Sequence, residues 1–387
     1  MKSEIIQILN NKNTIKVITC IHLIITIIIW FQLSKNPEKY NNYSVFRSSY
    51  FHLVQSKDLY IEYPSEHSDV FLYNPVFSIL FALFSLLPVK FGLLCWLLFN
   101  TWIILFSIKK IELTKAKTTL IYFLLFFGLS TNIRYCQSNS LIAALMIFSF
   151  VSFEKNENFK SSLFSVLGFC IKGVGGIVGL LFINYSNKWK IVLNAIILTF
   201  VISLLPGLFV GFDNLIIIYK SWFDVIIGSN IIEHVSLAGF CEVVLGWSNC
   251  EIPILIFGAF LLITFIISQW FRSNELDFDS RFVSLIFLLI WIVLFNRASE
   301  SATYFIGLLA LYLWFVNTSK SRINICIFIF AFIIIAILPS DLAPKILKNI
   351  QKNYVLKPVA LLPVLLSIYY NEINLSLRKY FQFGNAK

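Results

Sequence analysis

NNYSVFRSSYFHLVQSKDLYIEYPSEHSDVFLYNPVF, residues 41–77, is the long polar and aromatic run of an otherwise lipid-soluble chain. It gathers Asn42, Arg47, His52, Asp58, Glu62, Glu66, His67 and Asp69 between two apolar segments. Titratable groups are costly at membrane depth, so a membrane protein that concentrates them in one loop places its chemistry there. The alternative is a plain solvated loop. Its aromatics, Tyr40, Tyr43, Phe46, Tyr50, Phe51, Tyr60, Tyr63, Phe71 and Tyr73, favour instead a folded segment at the membrane interface.

Working outward, the remaining composition fixes the class. The 387 residues are 58% hydrophobic and 13% charged, with mean hydropathy +0.80, whereas a soluble domain carries roughly 25% charged residues. This predicts an all-α polytopic integral membrane protein in contact with the lipid bilayer. The net charge of +11 comes from Lys and Arg in short loops between apolar runs. Such a distribution serves topology and anionic headgroups and offers nucleic acid no continuous patch. The N-terminal MKSEIIQILNNKNTIK precedes the first apolar run without a small-residue cleavage site, so the first span is expected to stay. The seven Cys form no CxxC and no zinc-type cluster with His. Cys241 and Cys250 share a loop that would permit a disulfide in an oxidising compartment.

Apolar runs of about 17 to 25 residues mark spans, and basic loops mark the inner face. The first span covers 14–33 and leads into a large outer loop, 34–74. The run 75–88 is bounded by Pro75 and Pro88. As a helix it reaches only ~20 Å against a core of ~30 Å, which suits a re-entrant or interfacial segment. The span 90–108 then delivers Lys109, Lys110, Lys115 and Lys117 to the inside. Spans 119–133 and 139–153 follow, with QSNS (137–140) between them at the outer face. In 162–184 the run Lys172-Gly173-Val174-Gly175-Gly176 predicts a broken helix pair, because clustered glycines interrupt helices. A break at membrane depth suits a lined cavity. The span 190–211 leads to a second outer loop, 212–252, and further spans are expected at 253–271, 281–296, 304–317, 324–338 and 358–370. An alternative topology makes 75–88 and 162–184 single spans, but it scatters the polar motifs over both faces.

Lys172 is the sharpest of these groups. A Lys at mid-membrane costs about 2.5–3.5 kcal/mol on insertion scales and calls for an anionic partner, a carboxylate or a lipid phosphate, unless it snorkels to an interface. No P-loop, nucleophile elbow, HExxH or kinase motif is present, and no stretch is long enough for a soluble nucleotide-sugar domain. The EHSD segment, 66–69, could hold a divalent cation, but one acidic cluster without a second gives no metal assignment.

Taken in order, NNYSVFRSSYFHLVQSKDLY, FLYNPVFSILFALFSLLP, QSNSLIAALM, IKGVGG with NKWK, HVSLAG and FNRASESATYFIG resemble the polyprenol-phosphate-mannose-dependent mannosyltransferases of glycosyltransferase family 87, in the GT-C class. The resemblance extends over nearly the whole chain. It implies one GT-C-like bundle of about 10–13 transmembrane helices in the plasma (inner) membrane. It also implies inverting transfer of a hexose, often mannose, from a polyprenyl-phosphate carrier to a glycan or glycolipid acceptor on the extracytoplasmic side. No nucleotide sugar, cofactor or metal is implied. Where the family carries a catalytic Asp, this chain has Asn42, and an amide has no useful basicity. Asp69, Glu66 and then Glu300 become the candidate bases, unless activity has been lost. Gln137 and Asn139 match the family's polar pair, although Cys136 replaces the preceding Gly. Lys172 matches the basic residue at the helix break, with Gly173 where Pro is common. His234-Val235-Ser236 stands for an NQS-like segment, and Glu300-Ser301-Ala302-Thr303 for one that often carries His. Lys172, Arg134 and Arg297 are the expected donor-phosphate ligands. Tyr43, Arg47, Tyr73, Gln137, Asn139, His234, Ser236 and Ser301 are the expected substrate contacts. The rival readings are a transporter or flippase of a lipid-linked sugar and an inactive scaffold of a glycan-assembly complex. A single clear break argues against the repeated broken helices common in transporters.

Overall fold

A computed structural model of the chain describes residues 9–228, 235–273, 275–340 and 342–384. Among the described residues all regular elements are helical. Among the described residues, five helices are long and apolar enough to cross a membrane: Asn13–Leu33, Val89–Lys110, Lys188–Val210, Glu251–Arg272 and Leu356–Arg378. Asn139–Glu154, Asn158–Ile171, Gly173–Asn184, Tyr304–Asn317 and Arg322–Ile337 are apolar but shorter. The chain is an all-α, multi-pass membrane protein. It packs as two compact units, one formed by residues 1–152, 157–177 and 190–230, the other by 153–156, 178–189 and 231–387.

In the first unit, polar side chains tie the apolar helices together, since hydrocarbon gives them no water to bond. Thr26 and Thr101 share a hydroxyl hydrogen bond of 2.7 Å, and the His22 ring bonds the Tyr122 carbonyl at 2.9 Å. The stretch read as an outer loop is folded. Pro37–Tyr40 forms a 3-10 turn, and Asn41–Val54 a 14-residue helix. Phe46 anchors that helix, meeting Tyr73, Phe77, Phe81 and Trp96 edge-on at centroid distances of 4.9, 5.1, 5.4 and 6.1 Å. Edge-to-face contacts of this kind exceed the value of area burial alone. Residues 75–88 make two short helices, Pro75–Leu80 and Ala82–Ser85. The first starts cleanly because Pro75 occupies its first turn and the Asn74 side chain accepts from the Val76 amide at 3.0 Å. The Val89–Lys110 helix approaches so closely that a Cβ at Gly92 would lie 2.3 Å from both the Phe84 carbonyl and the Tyr43 hydroxyl.

Two segments depart from the expected pattern. The single span expected at 119–133 is interrupted: Lys115–Leu124 passes into a 3-10 turn, Leu125–Phe127, and the helix resumes at Leu129–Arg134. The second outer loop, 212–252, is largely helical, with Phe212–Gly228 followed by Leu237–Leu245. Buried Ile218 and Trp222 define the inner stripe of Phe212–Gly228, while Ile216, Ile217, Phe223 and Ile227 remain exposed, as an interfacial helix requires. At the glycine cluster, Asn158–Ile171 stops at Lys172, whose backbone is extended at φ −144° and ψ 106°, and Gly173–Asn184 continues as 3-10 helix. The reversal needs small residues, because a Cβ on Gly175 would meet the Gly168 carbonyl oxygen at 2.7 Å.

In the second unit, Phe278–Leu294 and Tyr304–Asn317 are buried almost throughout, and Phe287 stacks on Phe265 at 3.9 Å. Polar pairs fasten the surrounding helices. Arg281 forks onto Glu154 at 2.7 and 2.8 Å, and Arg272 meets the buried Glu372 at 2.7 Å. The final helix, Leu356–Gly384, continues well past the expected end at 370. Cys241 and Cys250 are buried free thiols, and the Cys250 thiol donates to the Ala238 carbonyl at 3.2 Å.

Candidate functional site

In the first unit the N-terminal end of Asn41–Val54 meets an open cavity of about 420 Å³, lined by Leu33, Glu38, Lys39, Asn41, Asn42, Arg134 and Tyr135. The positive dipole end of the helix lies here, which favours negative charge. Asn41 joins this rim to the EHSD segment. Its Nδ2 donates to Asp69 Oδ2 at 2.5 Å, and its Oδ1 accepts from the Ser68 amide at 2.9 Å. Asn42 Nδ2 donates to the Tyr135 carbonyl at 2.9 Å. Arg134 Nη1 donates to Gln32 Oε1 at 2.8 Å. The structure thus brings Asn42 and Arg134 to one cavity and places Asp69 one hydrogen bond from its rim. Glu38 and Lys39, which sequence reasoning missed, line the same cavity. The only signal for them was the PEKY turn just ahead of the aromatic run.

Tyr73 links the first loop to QSNS: its hydroxyl donates to Gln137 Oε1 at 3.0 Å and accepts from Ser138 Oγ at 3.1 Å. Tyr73 and Gln137 are therefore in direct contact. Asn139 does not line the cavity described above. It is fully buried, with Nδ2 donating to Asn132 Oδ1 at 3.4 Å. Tyr43 is also buried, which pushes its hydroxyl up to about 12 against the opposing effect of nearby Arg47. Arg47 stacks over Phe51 at 4.8 Å. Lys172 sits half-buried at the helix break described above.

Glu66 faces His52, whose Nε2 lies 3.1 and 3.2 Å from its carboxylate oxygens. Burial raises the Glu66 carboxyl, but hydrogen bonds from Ser48 and His52 outweigh it and hold the group below its usual range.

The second unit contains the remaining candidates. Arg297 pairs with Glu251 at 3.2 Å, so this guanidinium already has a carboxylate. Glu300 is half-buried in the turn that leads to Tyr304–Asn317. Ser301 accepts a hydrogen bond from the ammonium of Lys357, a buried lysine whose Nζ also lies 5.5 Å from the Tyr304 ring centroid. In sequence, Lys357 was indistinguishable from the neighbouring loop lysines. Ser236 is buried and caps Leu237–Leu245 by accepting from the Gly239 amide at 2.9 Å, which makes it a helix cap. His234 lies outside the described residues.

A family model for glycosyltransferase family 87 matches residues 71–313, more than half of the chain. The chain belongs to glycosyltransferase family 87. No curated protein and no solved structure matches it. It is a membrane glycosyltransferase that acts on sugar substrates. The match covers Tyr73, Arg134, Gln137, Asn139, Lys172, Ser236, Arg297, Glu300 and Ser301. It begins after Asn42, Glu66 and Asp69, so the carboxylates of the first loop rest on their geometry in this chain.

Proposed function

We propose that this glycosyltransferase moves a hexose, mannose by its resemblance, from a polyprenyl-phosphate carrier to an extracytoplasmic glycan or glycolipid, with inversion at the anomeric carbon. The reading places it in the plasma membrane, with the lipid-linked sugar phosphate as donor and no separate cofactor. The observation that carries it is the Asn41–Asp69 hydrogen bond of 2.5 Å at the rim of the cavity that also holds Asn42 and Arg134. Asn42 cannot accept a proton, and the neighbouring amide orients the carboxylate that can.

In the proposed step the acceptor hydroxyl attacks the anomeric carbon and its proton passes to Asp69. The bond between that carbon and the phosphate oxygen breaks, and the polyprenyl phosphate departs with the electron pair. Arg134 and Lys172 are the assigned cations for the departing phosphate. Arg297, held by Glu251, ranks below these two. Glu66 and then Glu300 rank below Asp69 as base, because Glu66 is engaged by His52.

The test is transfer of radiolabelled hexose from polyprenyl phosphate by purified protein and by Asp69→Asn, Glu66→Gln and Glu300→Gln. Loss of one oriented base costs ~100- to 10,000-fold in rate. Asp69→Asn should lose turnover to that extent and keep donor binding. Near wild-type turnover in all three variants would reject the assignment of the base to these carboxylates.

A further inference from the structure

The first loop holds a cluster that the transfer step does not use. One ring nitrogen each of His52 and His67 and a carboxylate oxygen of Glu66 lie within 4.8 Å of one another. The chain builds this grouping from two local devices. His52 lies in the last turn of Asn41–Val54, where its carbonyl accepts from the Lys57 amide at 2.9 Å. A tight turn at 63–67, in which the Tyr63 carbonyl accepts from the Glu66 and His67 amides at 2.8 and 3.0 Å, sets Glu66 and His67 side by side. The Tyr63 ring lies against His52 at a centroid distance of 3.9 Å.

A second observation points to a ligand. His67 is only 8% exposed, and its buried Nδ1 has no hydrogen-bond partner. A buried ring nitrogen without a partner loses its hydration and recovers nothing, which is unusual in a folded protein. His52 is similarly enclosed at 3% exposure, while the Glu66 side chain remains 40% exposed and gives an ion a route in. Burial pulls His67 below the usual imidazole range; the Asp69 backbone and Glu66 act in the opposite direction, but no backbone group meets hydrogen-bond geometry at its Nδ1.

We propose that His52, Glu66 and His67 bind one divalent transition cation of the zinc class. Two imidazole nitrogens and one carboxylate oxygen suit such a borderline ion better than calcium or magnesium, which take oxygen ligands. Ligand atoms of a tetrahedral site with bonds of ~2.0–2.1 Å stand ~3.3 Å apart. The His52–Glu66 pair, at 3.1 and 3.2 Å, is already at that spacing, and the ring nitrogen of His67 lies within 4.8 Å of both. Three protein ligands leave a fourth position for water. The ion clips the 63–69 turn to the end of Asn41–Val54 and so fixes Asp69 against Asn41. Glu66 is then a ligand and not a base. The site stands independently of which sugar or carrier the enzyme uses.

The experiment is titration of tag-free, chelator-stripped protein in detergent with Co²⁺, read by visible absorption and followed by Zn²⁺ displacement. One equivalent of Co²⁺ should give the d–d bands of a four-coordinate site, and Zn²⁺ should abolish them. Loss of a mere outer partner of a metal ligand costs 10- to 100-fold in affinity. His67→Ala and Glu66→Gln should therefore weaken binding by about 100-fold or more. Their thermal midpoints without metal should match that of stripped wild type, and His52→Gln provides the same reading should His67→Ala fail to fold. Absence of stoichiometric binding, or equal affinity in wild type and all folded variants, overturns the proposal.

Discussion

Replacing Phe46 with Ala should free the Asn41–Val54 helix from its seat without unfolding the rest of the first unit. The ring is 1% exposed and lies at the centre of four edge-on aromatic contacts, with Tyr73, Phe77, Phe81 and Trp96. Truncation of a buried Phe to Ala costs about 3–5 kcal/mol, through lost transfer energy and the cavity left behind. The rigid ring of Trp96 limits collapse, since its indole N–H is already bonded to the Cys136 carbonyl at 2.8 Å. At ~1.4 kcal/mol per tenfold, the docked state of this helix should be disfavoured by about 100- to 4,000-fold. Hydrogen exchange by mass spectrometry reads that change as faster exchange of the 41–54 amides, with little change in Val89–Lys110. Phe46→Leu, which refills much of the volume, should recover most of the protection. Exchange of 41–54 within tenfold of wild type in Phe46→Ala would refute the claim that this cluster seats the loop.

Gly92→Ala should destabilise the same contact from the other side, since the new methyl lies 2.3 Å from the Phe84 carbonyl and from the Tyr43 hydroxyl. Overpacking of this kind costs about 1–3 kcal/mol, visible as a lower thermal midpoint in detergent. Lys172→Met should abolish binding of the polyprenyl-phosphate donor while the protein remains folded and inserted. Misfolding of that variant would instead make Lys172 a structural residue. Single cysteines near Asp58, Ser138, Ser236 and Ser299, in a background without native Cys, should react with an impermeant reagent from outside intact cells. Reaction near Lys115 or Lys188 would overturn the orientation.

How far the sequence reached depended on whether its signals were local. The apolar runs marked the long helices closely, with 90–108 read for Val89–Lys110, because mean hydropathy needs no knowledge of partners. The aromatic content of 41–77 pointed to a folded segment, and Phe46 with its neighbours explains how it folds. The interruption in 119–133 was hidden because LIYFLLFFGLS is apolar on every side, leaving Gly128 as its one mark. Asp213, Lys220 and Asp224 break the apolar run of 212–228, while Ile218 and Trp222 carry the helical stripe that folds it. The long last helix was hidden in a polar tail whose residues pack on Glu251–Arg272, as the Ser268 and Ser376 hydroxyls do at 2.5 Å. The candidate site was the least legible part. Asn41 and Asp69 stand 28 positions apart in a stretch without periodicity. The burial of Lys357 beside Ser301 depends on a contact across 56 positions. Residue types alone identified the carboxylates and cations but could not show that Arg297 is held by Glu251 or that Ser236 is a cap.

The measurement that bears most directly on the account is transfer from a defined donor. Purified protein in lipid nanodiscs is given either polyprenyl-phosphate [³H]mannose or a nucleotide-linked [³H]mannose, together with a glycolipid acceptor. The account predicts label in the acceptor from the lipid-linked donor alone, with inverted anomeric configuration and with turnover lost in Asp69→Asn. Transfer from the nucleotide sugar, or undiminished transfer by Asp69→Asn, would contradict it.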